Sequence, residues 1–580
     1  METGKLVQKA VALWVVYKAL TWTCRFIRGQ YLVFSARRRR MKIRSKTPEL
    51  PTVPEATKVK ILSLTAARLV EEMKVGRLKC IEVMATYIER AASFGREMNL
   101  TGEELFEEAL AAAAAADHQR ETEPETMGAL FGLPISTKDH IIQRGCSASG
   151  GVIRNAYKVY DTDSDLVAML RNEGAIPFVR SNLTQVMMWF ETESNLYGRA
   201  ENPWDRTRST GGSSGGEAGL VSARCSPLGV GSDIGGSIRT PAGWCGIYGF
   251  KPTPQRVRFA GVLSGHKDNY CSMEHLVPVA VGPLGNSVED LTLVLRSWWQ
   301  PACFARDPTL VPLPFNSHVF SRVSSGQQLR IGFIASDPLF PCDPAQSRLL
   351  QTAKSALIAQ GHTVVDFELP RWANMISLYM QAAMAVGPEE ASECLQGEPP
   401  CWFYRIQQQV SSSPILEWVA FKYLRYLGFG RLATLASGKH GHLPSTSYMD
   451  IHRDLEDYRL EVAKLWKAAG LDAVLCPAVS LPAPPHGMTD LMVMQLGVIW
   501  QWNLLAFPAG VVPVGQVAMS EERYDEGPKD GMSRRAQQVM LGASGLPIAL
   551  QVAALPYEDE KALGVMKVLE DIFGFHKHPI

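Results

Sequence analysis

Two short stretches of glycine and serine, whose central serines stand 24 residues apart, constrain this chain more than any other feature of it. The first reads Ser209, Thr210, Gly211, Gly212, Ser213, Ser214, Gly215, Gly216, Glu217; the second reads Ser232, Asp233, Ile234, Gly235, Gly236, Ser237, Ile238, Arg239. Glycine runs carry little apolar surface and cost backbone entropy inside regular elements, so each stretch reads as a tight loop. Consecutive N–H groups in such a loop face one concavity, which suits a developing negative charge. Three readings compete. Both loops can be plain turns. They can cradle phosphate, although neither supplies the Lys-Ser/Thr of a P-loop or G-x-G-x-x-G. Or they belong to a serine hydrolase, in which case Gly211 to Gly215 matches the G-x-S-x-G elbow and makes Ser213 the nucleophile. That elbow requires a later histidine. His266, His318 and His440 all follow, too many to discriminate, and the second loop stays unexplained.

The rest of the body alternates helical and strand patterns, which indicates α/β architecture. Apolar spacings of three and four across Leu64–Ala92 predict a helix, a turn at Gly76 and a second helix, with Thr65 as N-cap. The alanine-rich run Glu103–Ala116 predicts a helix packed against a close neighbour. Leu130–Ile135 is a short apolar stretch, punctuated by Gly132 and Pro134, leading directly into Ser136, Thr137, Lys138 and Asp139, which sets Lys138 at a buried strand end. Later strands are expected at Val474–Cys476, Val511–Val514 and Ile548–Val552, and a helix at Lys561–Phe573.

From Ser209 to Thr253 the chain resembles the amidase-signature family, in the order GGSSGGE, GSDIGGSIRTPA and CGIYGFKPT. The likeness extends through GLPISTKD around Lys138, LLAFPAGVVPV at Leu504–Val514 and GLPIALQVAALP at Gly545–Pro556, so it covers the chain from about Leu62 to its end. It implies a large mixed, twisted sheet surrounded by helices. It also implies that Ser237 is the nucleophile, Ser213 a bridging serine in a cis peptide, and Lys138 the base that starts the relay. The N–H groups of Ile234, Gly235, Gly236 and Ser237 would form the oxyanion hole, and Met187, with Phe190 close by, would begin the acyl pocket. Neither metal nor cofactor is implied. The likeness is strongest to members that cleave fatty-acid amides, N-acylethanolamines and oleamide-like primary amides, as homodimers on a membrane. An amidase of another small or glutamine-type amide, or a catalytically weak membrane scaffold associated with a hydroxylase, stands as the alternative.

Lysine can serve as this base only where its surroundings favour the neutral form, and the apolar approach Leu130–Ile135 offers that desolvation. Asp139 would oppose it and is expected to face elsewhere. Asp233 and Arg239 read as a buried ion pair that holds the loop, and Glu217 as a cap of the helix that follows it.

Location is carried by the N-terminus. Ala10–Cys24 is apolar with Trp14, Tyr17 and Trp22, but Lys9, Lys18, Arg25 and Arg28 interrupt it, so it predicts either a poor single span or a helix lying in the membrane interface. Gln30–Phe34 adds a second apolar patch. The basic cluster Arg37–Arg40, Lys42 and Arg44 prefers a cytosolic leaflet, and a small-residue cleavage site is missing. Residues 1–45 are therefore expected to anchor the chain to an intracellular membrane, the endoplasmic reticulum, with residues 46–61 as a proline-containing linker and residues 62–580 as the catalytic domain facing the cytosol. Residues 414–436 mix aromatic and basic side chains, with breaks at Gly428 and Gly430. The pattern equally fits a core-packing helix pair, and the resemblance makes it a membrane cap. With 59 basic against 58 acidic residues no global field favours nucleic acid, and eleven scattered cysteines suit a reducing compartment.

Overall fold

In the computed structural model, residues 16–579 are described apart from 18, 19, 22, 25, 39, 42–45, 258–260, 264–275, 384–392, 396, 404–413, 437–443 and 491. The helical pair around Gly76 forms as its spacing requires. Ala66–Lys74 and Cys80–Arg90 are helices, Thr65 Oγ1 accepts from the Arg68 N–H, and Leu69, Met73, Met84, Tyr87 and Ile88 are buried. The alanine-rich run becomes the helix Phe106–Thr122, whose Ala109, Ala113 and Ala116 pack against Cys80–Arg90. Asp117 on that helix receives the Cys80 and Ile81 N–H groups at 2.9 and 3.0 Å, placing a carboxylate on the positive end of its neighbour.

Eleven strands make one sheet: β1 (Thr101–Glu104), β2 (Pro134–Lys138), β3 (Ile176–Ser181), β4 (Leu228–Asp233), β5 (Tyr248–Lys251), β6 (Ala280–Gly285), β7 (Arg330–Phe333), β8 (Thr363–Asp366), β9 (Ala473–Pro477), β10 (Ala509–Gln516) and β11 (Pro547–Ala553). Their order is β1-β3-β2-β4-β6-β5-β10-β11-β9-β7-β8. Pairing is parallel across β3-β2-β4 and β9-β7-β8 and antiparallel elsewhere, so the expected mixed sheet is present. Its central strands β2, β4, β5, β6 and β11 are buried along their whole length, as strands covered on both faces are. Asp559–Phe573 packs on β10, as expected of the C-terminal helix.

The N-terminal segment read as a poor span or an interfacial helix falls only in part on the described residues. Among the described residues no helix is long and apolar enough to cross a membrane, and most of Ala10–Cys24 lies outside the described residues. The helical residues 26–38 instead lie against the body. Val33 and Ala36 are buried with Ile153, Leu183, Leu196 and Tyr197. Arg40 donates to the carbonyls of Tyr197 and, at 3.1 Å, Thr101. The opposite face, Ile27, Tyr31 and Phe34, is exposed. The expected linker is also shorter than its range: the chain is extended to Pro54, and Glu55–Ser63 is a helix that buries Ile61. The break at Gly428 appears as expected, between Pro414–Tyr426 and Gly430–Ala436. Trp418, Val419, Tyr423 and Tyr426 of the first helix are exposed.

Candidate active site

Strands β2 and β4 are parallel neighbours, Ser136 opposite Gly229 and Thr137 opposite Val230, so Lys138 and Asp233 leave the sheet on the same edge. On the other side of β4 the pairing with β6 turns antiparallel. Strand ends at such a change of direction are where open sheets leave room for a ligand.

The first glycine-serine loop enters the helix Gly215–Ser222, and the second leaves β4 for the helix Arg239–Cys245. The Ser214 N–H donates to the Ser237 carbonyl at 3.2 Å, which ties the two loops together beside both candidate serines. The Gly212–Ser213 peptide is cis. A Cβ at Gly212 would sit 2.8 Å from Thr184 Oγ1 and from the Trp189 carbonyl, so only glycine lets the loop lie this close to residues 184–191.

Lys138 Nζ donates to Ser213 Oγ at 2.8 Å and to Ser232 Oγ at 3.1 Å. Accessibility rises in steps, from Lys138 at 0% through Ser213 at 1% to Ser237 at 9%, which orders the three from interior to surface. Among the described residues no hydrogen bond joins the Ser213 and Ser237 hydroxyls directly; the structure joins Lys138 to Ser213 and brings Ser237 alongside through its backbone. Burial brings the Lys138 ammonium down to about 7, against the pull of Asp233 and Glu217. A lysine so placed is available as a neutral base near neutral pH. Asp139 faces elsewhere as expected: Arg180 Nη2 at 3.2 Å, Tyr197 Oη at 2.6 Å and Ser149 Oγ take up its carboxylate.

Asp233 and Arg239 form the expected buried pair, with Nε and Nη2 at 3.0 and 2.9 Å from the two carboxylate oxygens. Burial works to raise the Asp233 carboxyl, but Arg239, Lys251 and Asn503 outweigh it and hold it well below the usual carboxylate range. Asp233 also receives the Gly236 and Ile238 N–H groups at 2.8 and 3.1 Å, so Gly236 spends its N–H on shaping the loop. Glu217 does not cap its own helix. It lies in the first turn, and its Oε2 accepts from Ser136 Oγ at 2.6 Å, joining the helix to β2, while burial raises its carboxyl to about 7.

Several residues at this site have no role that the sequence assigns. Ser232, the second acceptor for Lys138, stands in the second loop motif with nothing there to mark it as a partner of the lysine. Tyr379 stacks on Trp500 at 4.5 Å and donates to the Ile234 carbonyl at 3.4 Å. A Cβ on Gly235 would fall on the Tyr379 hydroxyl, which explains why this position is glycine. Asn503 and Gln551 receive the outer guanidinium nitrogens of Arg239 at 2.6 and 2.8 Å. Met187 packs toward the N-terminal helix with Leu183 and Val33, and Phe190 is turned into the core against Trp244. Met187, Met188 and Trp189 are the half-buried members of that segment.

The family model described as amidase matches residues 82–563. The chain is 32% identical over 515 residues to fatty acid amide hydrolase 1 of Caenorhabditis elegans, covering 88% of each chain. It is 31% identical over 544 residues to fatty-acid amide hydrolase 1 of Sus scrofa, covering 91% of this chain and 88% of that one. A solved structure of fatty acid amide hydrolase superposes with a TM-score of 0.80 over 94% of this chain and 95% of its own, at 22% identity.

Proposed function

Because the chain belongs to the amidase family and is a carbon–nitrogen hydrolase, we propose that it cleaves fatty-acid amides to free fatty acid and amine through an acyl-enzyme on Ser237. The observation that carries this reading is the 2.8 Å bond from a fully buried Lys138 to Ser213, beside the more accessible Ser237. Neutral Lys138 takes the Ser213 proton as Ser213 takes that of Ser237, and Ser237 Oγ bonds to the amide carbon. The same path returns the proton to the departing nitrogen as the C–N bond breaks; water then attacks the ester, and free acid leaves. The N–H groups of Ile234, Gly235 and Ser237 face the oxyanion, each donor worth about 3 kcal/mol in the transition state. Gly236, bonded to Asp233, sets their direction.

Similarity to the two fatty-acid amide hydrolases supports a lipid amide as substrate. The exposed apolar faces of residues 26–38 and of Pro414–Tyr426 support contact with a membrane surface, made by helices lying in the interface, on the cytosolic side of an intracellular membrane.

The test is hydrolysis of long-chain N-acylethanolamines and oleamide by detergent-solubilised full-length protein, comparing wild type with Ser237→Ala and Ser213→Ala. Turnover and fluorophosphonate labelling should vanish in Ser237→Ala, and labelling of Ser213→Ala should slow but stay on Ser237. Label on Ser213 in the wild type would overturn the nucleophile. Labelling of Ser237 without lipid turnover would leave the amidase chemistry and reject the substrate class.

A further inference from the structure

A buried acid with no part in the proton relay is tied to the wall beside it. Glu398 is 4% exposed, and its carboxylate takes three hydrogen bonds from neutral donors. Gln185 Nε2 lies at 2.8 Å and Asn195 Nδ2 at 3.1 Å from Oε1, and the Ile153 N–H at 2.7 Å from Oε2. Among the described residues its partners are neutral, and burial raises its carboxyl to about 7, so its effect is to be sought in what it holds.

What it holds is a turn. Gln185 Nε2 also donates to the Pro399 carbonyl at 3.3 Å, its Oε1 accepts the Cys401 N–H at 2.7 Å, and Asn195 Nδ2 donates to the Pro399 carbonyl as well. Directly after Gln185, Val186 and Met187 take φ of 58° and 62°, two successive non-glycine residues in the left-handed region. For β-branched Val186 that conformation persists only where the surroundings enforce it. The same turn passes against the catalytic loop, with the Thr184 N–H donating to the Ser213 carbonyl at 3.3 Å. It then presents Trp189, whose ring stacks on Phe403 at 5.6 Å and 2°. On the outer side of the 397–403 segment, Gly29 of the N-terminal helix lies close enough that a Cβ there would meet Pro399 at 3.1 Å.

We propose that Glu398 is a specificity-determining positioning residue: it pins segment 397–403 to the left-handed turn after Gln185, so that the Trp189–Phe403 stack stands as a fixed wall for the acyl chain leaving Ser237. The proposal rests on the reading of Ser237 as the acyl-carrying nucleophile. Chain selection then depends on an acid that never touches the substrate. Without it, the turn relaxes toward ordinary φ values and the stack opens.

The experiment compares wild type, Glu398→Gln, Phe403→Ala and the double variant, as full-length proteins, on a graded series of short- to long-chain acyl amides, with fluorophosphonate labelling in parallel. Glu398→Gln keeps the side-chain shape but turns a donor toward the Ile153 N–H or toward the two amides. Its kcat/KM ratio for long over short chains should fall about tenfold, mainly through KM, the scale on which apolar pockets discriminate. Phe403→Ala should shift the ratio the same way, and the double variant no further than the larger single effect, because the two act through one wall. Parallel losses on all chain lengths, or additive shifts in the double variant, would overturn the proposal and leave Glu398 a stabilising residue only. A wild type unlabelled at Ser237 would overturn the underlying reading, and the proposal with it.

Discussion

The lysine on which the proposed relay depends should weigh on the fold, and the weight should show as a pH dependence of stability. Burial brings Lys138 from 10.5 down to about 7. At about 1.4 kcal/mol per pH unit, the interval corresponds to about 5 kcal/mol of folding free energy. The unfolded lysine keeps its proton up to its ordinary pKa, whereas the folded one has released it above about 7. Between these values the unfolded state binds more protons, so the stability contributed at this position rises with pH. The penalty is full below the folded pKa and disappears above the unfolded one. Lys138→Met removes the titrating group and keeps an apolar stem, while depriving the Ser213 and Ser232 hydroxyls of one partner each, at about 1 kcal/mol apiece. The variant should therefore be inactive yet about 2 kcal/mol more stable than wild type at pH 7, and about 1 kcal/mol less stable near pH 10. Urea unfolding of both proteins across that range should show wild type gaining on the variant by about 1.4 kcal/mol per pH unit. Lys251, which burial also brings down to about 7, is common to both proteins and cancels in the difference. Parallel curves would refute the reasoning, since they would mean that Lys138 carries its charge in the folded enzyme and cannot act as a neutral base.

Gly235→Ala places a methyl on the Tyr379 hydroxyl and should lower kcat on a short-chain amide at least a hundredfold, about the loss of one oxyanion donor. Adding Tyr379→Phe leaves ring carbon Cζ, 3.1 Å away, as the nearest atom, and should restore a substantial part; a double variant as impaired as Gly235→Ala would show that the hydroxyl is not the obstacle. Arg239→Met strands Asp233 as a buried, unpaired carboxylate and should cost about 3 to 5 kcal/mol in urea unfolding. Arg239→Lys should recover only part of that, because one ammonium cannot span Asp233, Asn503 and Gln551 together.

What could be read from the chain is what local pattern encodes. The helical pair around Gly76 follows from apolar periodicity, and the strand entering Lys138 from a short apolar run with a polar stop. The two glycine-serine loops stood out because such density has no place inside a regular element. The Asp233–Arg239 pair was legible from its closeness in sequence. Contacts assembled by the sheet were not. Tyr379 and Trp500 reach Gly235 from segments far along the chain, and no local signal marks them among other aromatics. Glu217 has the position of a cap, yet its partner Ser136 lies outside its helix, on β2. The N-terminal helix was read from hydrophobicity, which registers Ile27, Tyr31 and Phe34. The informative stripe was the one of smaller residues, Gly29, Val33 and Ala36, spaced by four and three, which lets the helix lie close to the body.

The parallel pairing of β2 with β4 gives the molecule two kinds of material. Lys138 and the loop bearing Ser237 issue from adjacent strands in the middle of a large sheet, where the interstrand spacing is fixed by backbone hydrogen bonds and no surface substitution reaches it. The segments that would meet the acyl chain, residues 185–189 and 397–403, lie outside that lattice, in a 3-10 turn and in a loop that enters a helix at Trp402. On the proposed reading, proton transfer is a property of the frame and selectivity a property of the trim. On that reading, a substitution in these loops would change which acyl chain is held while the 2.8 Å from Lys138 to Ser213 stays as the sheet sets it.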